Sequence, residues 1–275
     1  MSKTALITCM AALPLLGAAQ NGPVIPTGAM RNTMFNGQLA GLIQLDSIAK
    51  PGTYGIGPMA YLRGEVLLLD GIVFVSEMEK NLGMQVVQRT EVRAPFFVHQ
   101  HVTDWTTVAL PDSVVDLSTL DHFLTARFAR TVEPFAFRIS GDITSVDVHI
   151  VDVPRGSKVN GPDDAHRHNK DFHLESRTMD LVGFFSTKHK AVFTHHDTNI
   201  HVHAITAERN WMGHVEKVRF DPESCQLLIA SGQWVRTEEA RTGRSCSGSP
   251  GPRPSPDRPR SRWYRRWGRS IHWVR

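Results

Sequence analysis

Strand-like runs recur along this chain while a sustained helical apolar spacing is rare, and that contrast confines it to sheets with few helices. Gly64-Glu65-Val66-Leu67-Leu68-Leu69 and Ile72-Val73-Phe74-Val75 flank Asp70-Gly71, a dipeptide suited to a two-residue hairpin turn. Further strands are expected at Phe96–His101, Trp105–Ala109, Phe135–Gly141, Ser145–Val153, Leu181–Phe185, Ala191–Thr194 and Gln226–Ala230. Helical spacing is clear over Ser118–Arg130, where Leu117, Leu120, Phe123, Leu124 and Phe128 recur and Asp116 or Ser118 can cap. Gln38–Ile48 suits a shorter helix ahead of Pro51. The expected class is α+β, with mixed or antiparallel sheets.

The ends differ from the body. Residues 1–19 follow the pattern of a secretory signal: Lys3, an apolar run from Ala5 to Leu16, then small residues at Gly17-Ala18-Ala19. The run is too short to span a bilayer, so a secreted or periplasmic protein is expected. Residues 241–275 hold ten arginines, no lysine and one acid, Asp257, with three of the six tryptophans. This tail carries a formal charge of +9, which turns a mildly acidic body of −5 into a chain of +4. Such Ser/Gly/Pro/Arg composition forms no core, and its abrupt onset reads as an appended, non-native extension. No nucleic-acid binding is expected of an acidic body. Cys225 is the only cysteine between these ends, so core packing and no internal disulfide must hold the fold. The expected organisation is an extended lead-in over 20–34, an N-terminal portion over 35–154, a polar loop over 155–176 and a metal-binding portion over 177–235.

Fourteen histidines are spread along the chain, and the pattern His-x-His occurs three times. His166 and His168 lie in a polar run and read as a solvated loop. His99 and His101 follow Phe96-Phe97-Val98 without a third partner and read as core or rim residues. His201 and His203 are different. They lie in the β-branched run Asn199–Thr206, where residues two apart share a face. Ala207–Gly213 suits a turn, and His214–Phe220 returns as a second strand. A late β-hairpin thus brings three imidazoles together, the donor set of a catalytic zinc or similar divalent ion.

Two more groups could act beside a metal. Glu65 starts an apolar strand, either at an exposed edge or beside a site. Arg138 alternates with Ala136 and Ser140; facing solvent it is ordinary, and facing a cavity it suits a carboxylate bound through two parallel hydrogen bonds. There is no GxSxG pattern, and nothing near Cys225 lowers its pKa.

In order, these pieces resemble the α-acetolactate decarboxylases. The resemblance runs through Tyr54-Gly55-Ile56-Gly57, Gly64–Gly71, Phe137-Arg138-Ile139-Ser140-Gly141, Leu181-Val182-Gly183-Phe184 and His201 to Val215, covering roughly residues 35–220. It implies two packed α/β portions, commonly as a dimer, and zinc-dependent conversion of 2-acetolactate, a 2-hydroxy-3-keto acid, to acetoin and carbon dioxide through an enediolate. It implies zinc on His201, His203 and His214, Glu65 near the metal, and Arg138 on the substrate carboxylate and in proton delivery. Three features depart from the family. Pro58-Met59 replaces a threonine, and Asn199-Ile200 replaces Gly-Tyr before the first histidine. A C-terminal carboxylate of the family has only Glu238 or Glu239 as candidates by position. A non-catalytic metal-binding or cupin-like module is the rival. His201-Val-His203 with Glu208 resembles one cupin motif, but the second is missing.

Overall fold

The computed structural model describes residues 21–81, 83–128 and 133–232. Its elements run β1 (Ile25–Thr27), α1 (Met30–Asn36), β2 (Ile43–Gln44), β3 (Thr53–Pro58), β4 (Glu65–Leu69), β5 (Ile72–Glu79), β6 (Gly83–Gln88), β7 (Arg93–Ala94) and β8 (Phe97–His101). They continue with β9 (Trp105–Val108), α2 (Leu117–Phe128), β10 (Phe135–Val151), α3 (Pro162–His166), β11 (Asn169–Phe185), β12 (Ile200–Thr206) and β13 (Met212–Ala230). Every pair among these strands is antiparallel, so the chain is α+β as expected.

The first large sheet has the order β1-β8-β3-β4-β5-β6. In the second, β10, β11, β12 and β13 pair in a closed ring because β13 returns to β10, and β9 adds to the far end of β13. Period-two alternation divides each strand between two cores. On β4, Leu67 and Leu69 face the second sheet, meeting Ala136, Val182, Phe184, Ile205 and Met212. Val66 and Leu68 face the other way, onto Leu45, Val73, Val75 and Phe97. On β12, Val202 and Ala204 turn into the ring, where α2 adds Leu120, Leu124 and Phe128.

Three local expectations fail, one of them the strand expected at Ala191–Thr194, where residues 191–193 form a turn and Thr194 makes an isolated bridge to Lys190. The helix expected over 38–48 is absent, because Leu42 N–H and Leu45 N–H donate to Ala94 O and Val92 O, tying this stretch to β7. The actual early helix is α1, inside the expected lead-in, and it ends on Gly37 in the left-handed region (φ 62°). Residues 169–176, expected in a polar loop, form the first half of β11. That half is largely exposed and its apolar alternation is confined to Phe172 and Leu174, too short a pattern to mark a strand. The proposed signal and arginine tail lie outside the described residues. No helix among the described residues is long and apolar enough to cross a membrane.

Candidate metal centre

The β12–β13 hairpin forms, with His203 opposite His214 and Ala204 opposite Gly213. Its turn is closed by Thr206, which pairs with Trp211 through Thr206 N–H and receives Asn210 N–H and Trp211 N–H on its hydroxyl. β13 begins at Met212, so Gly213 lies in the strand and not in the turn expected of it. Glycine is needed there: a Cβ would sit 2.6 Å from His149 O on β10.

His201, His203 and His214 are all buried, and one ligand nitrogen from each lies within 4.8 Å of the others. His201 Nδ1–H donates to Phe193 O at 2.7 Å, which fixes the tautomer and leaves Nε2 with a free lone pair. That nitrogen lies 3.0 Å from His214 Nδ1, whose N–H can donate to it. Both ring nitrogens of fully buried His203 lack a hydrogen bond. Burial first, then the neighbouring His149, lower its pKa to about 3 against a weaker pull from the Val66 backbone. Burial and neighbouring histidines likewise hold His201 and His214 well below the usual range. Three neutral imidazoles with orphaned buried nitrogens are the donor set a divalent ion requires, and the residues fit such an ion.

Glu65 shares its strand face with Leu67 and Leu69, which carries it toward the second sheet. Its Oε2 lies 3.7 Å from His203 Nε2, and Val151 N–H donates to Oε1 at 3.4 Å. Burial pushes its pKa up to about 7, against the pull of His149. A cavity of about 350 Å³ opens over this cluster. Its lining includes Glu65, His149, His195, His201 and His214 together with apolar Met30, Met34, Phe35, Leu62 and Phe96.

Arg138 is not among the residues lining that cavity. Its guanidinium pairs with Asp180 at 3.0 Å and lies over the rings of Tyr54 (5.5 Å) and Trp105 (5.9 Å). Asp180 also accepts from Ser140 and Arg209. The cavity instead receives His149, opposite His214 on β10 with ring centroids 4.7 Å apart. Its Nδ1 lies 2.7 Å from the Glu216 carboxylate. Burial opposes protonation of His149, yet Glu216, Glu65 and Asp171 together raise its pKa above the usual value. Sequence reasoning missed this residue. Glu208 of the rival cupin reading is exposed in the hairpin turn, and Glu238 and Glu239 lie outside the described residues.

The profile of the alpha-acetolactate decarboxylase family matches residues 28–241. The chain belongs to that family. Family membership makes this acetolactate decarboxylase homologue a carboxy-lyase acting on a small molecule. The crystal structure of alpha-acetolactate decarboxylase from Bacillus subtilis strain 168 superposes with a TM-score of 0.64 at 20% identity, covering 77% of this chain and 86% of that one. The enzyme from Bacillus subtilis subspecies spizizenii gives 0.64 at 19% identity, covering 77% and 87%. A Staphylococcus aureus protein of unknown function, described as similar to alpha-acetolactate decarboxylase, gives 0.62 at 16%, covering 79% and 92%. At these identities the structures establish a shared fold. Among curated protein sequences, none matches.

Proposed function

We propose that the chain converts 2-acetolactate to acetoin and carbon dioxide with a zinc ion on His201, His203 and His214. The observation that carries this reading is the buried histidine triad with Glu65 against it, of which His201, His214 and Glu65 line one cavity, in a chain of this family. Zinc, when bound, supplies Lewis acidity to the oxygens of a β-keto acid.

The protein's own groups do the rest. The apolar walls from α1, Leu62 and Phe96 exclude water from the reacting carboxylate. Glu65, with its pKa near neutrality, holds and returns a proton at its carboxylate oxygens. His149 is held by Glu216 on the same wall and directs a ring N–H toward the substrate carboxylate. We assign it the orienting part that the family resemblance gives to Arg138, and leave Arg138 in the framework between the sheets. Residues 1–19 are read as an export signal, placing the enzyme outside the cytoplasm, and a homodimer is the expected assembly.

Full-length protein supplied with one equivalent of Zn2+ and racemic 2-acetolactate tests this. Acetoin and carbon dioxide should form in equal amounts, and Glu65→Gln should retain zinc while losing turnover by about 100-fold or more. Wild-type turnover that survives intact in Glu65→Gln would refute the assignment.

A further inference from the structure

His195 stands beside the triad without belonging to the strands that carry it. Its ring centroid is 5.0 Å from that of His214 and 5.9 Å from that of His201. The triad rings themselves are separated by 5.1, 4.9 and 5.5 Å, and among the described residues only their nitrogens lie within 4.8 Å of one another, so His195 joins them by swinging inward. His195 Nε2 is buried and makes no hydrogen bond, the same condition as the ring nitrogens of His203. Its neighbours His196 and Asp197 are exposed, so the turn has solvent available to it and still directs His195 inward.

The turn is fixed at both ends. Phe193 is fully buried against Phe184 and accepts His201 Nδ1–H on its carbonyl. Beyond the turn, Thr198 Oγ1–H and Asn199 N–H both donate to Asp121 Oδ2 at 3.0 Å. Residues 195–197 therefore lie between two anchors, outside any strand, with His195 and His196 lining the cavity. A small adjustment there moves a side chain and a short turn, and leaves the sheet intact.

Taking the triad as a metal site, we propose that His195 is a fourth imidazole ligand to the same ion, filling the open position at rest and leaving it when substrate oxygens arrive. Four nitrogen donors complete a tetrahedral zinc shell, whereas catalysis needs one exchangeable position. A ligand on a loop supplies both, because it can leave without disturbing the three ligands fixed on strands.

Full-length protein, stripped with chelator and reloaded with one equivalent of Zn2+, tests this by X-ray absorption fine structure. Four imidazoles are expected around zinc in the wild type. His195→Ala should show three imidazoles and one oxygen, with zinc affinity lower by about tenfold or more in competition with a chromophoric chelator. His195→Gln provides a second variant if the alanine form does not fold. Saturating 2-hydroxy-2-methylpropanoate, a hydroxy acid that cannot decarboxylate, should lower the wild-type count to three. Three imidazoles in the resting wild type would overturn this inference alone. Equal zinc affinity in the wild type and both variants would do the same. Folded wild type that takes up no zinc would overturn both this inference and the proposed function.

Discussion

Replacing His203 by leucine should reverse the stability order of variant and wild type according to whether metal is present. His203 is fully buried and both ring nitrogens lack hydrogen bonds. Each unpaired buried polar group costs on the order of 1–3 kcal/mol, whereas a hydrophobic side chain of similar volume costs less than about 1.5 kcal/mol in mismatch. His203→Leu in chelator should thus be as stable as the wild type or more stable by about 1 kcal/mol. That corresponds to a rise of about 2–4 °C in melting temperature for a chain of this size. Zinc at a hundredfold excess over its dissociation constant should stabilise the wild type by about 2.7 kcal/mol. The variant, with the triad broken, should gain nothing. Thermal and urea unfolding at one pH, with chelator and then with Zn2+, read both halves. A variant that is less stable than the wild type by more than about 2 kcal/mol in chelator would refute the reasoning, because His203 would then be an ordinary satisfied core residue.

Three other outcomes follow from the same geometry. Arg138→Gln should lower stability by about 1–3 kcal/mol, the loss being limited because Asp180 keeps Arg209 at 2.9 Å. It should also lower turnover of folded protein less than His149→Ala does, as measured by acetoin formation. Cys225 should resist iodoacetamide at pH 8: burial first, then Asp142 and Asp221, push its thiol up to about 11, leaving almost no thiolate. Peptide mapping would read this at Cys225 itself. Gly213→Ala should cost about 1–3 kcal/mol, since the new Cβ would meet His149 O and force β10 away from β13; denaturant unfolding measures it.

The triad was legible because every step in its inference was local. Period two places His201 and His203 on one face, and a short turn returns His214 opposite His203. The same period settles Glu65 once Leu67 and Leu69 are known to face the second sheet, but the sequence does not reveal which face that is. Arg138 and His149 show where local reasoning stops. Phe135, Phe137 and Ile139 turn into the ring, as do Val146, Val148 and Ile150, so the inward positions change from odd to even along β10. The pairing of β10 with β13 shifts there, between Gly141 and Ile143 and again between Ile143 and Ser145, while the β10–β11 register runs unbroken. This bulge allows even-numbered Arg138 and odd-numbered His149 to face the same way. No residue type in the sequence announces it. His195 was hidden for a different reason: it lies on a loop, where no periodicity assigns a face. The early helix was missed although Gly37 marked its end, because seven residues are too few to establish a helical spacing.

The most direct measurement is a titration of metal-stripped, full-length protein with Zn2+, following acetoin release from 2-acetolactate alongside bound metal. The rate should rise in proportion to zinc and break at one ion per chain, with no such rise in His203→Leu. Folded protein that carries a full equivalent of zinc and releases no acetoin would contradict the account, as would acetoin formation indifferent to metal.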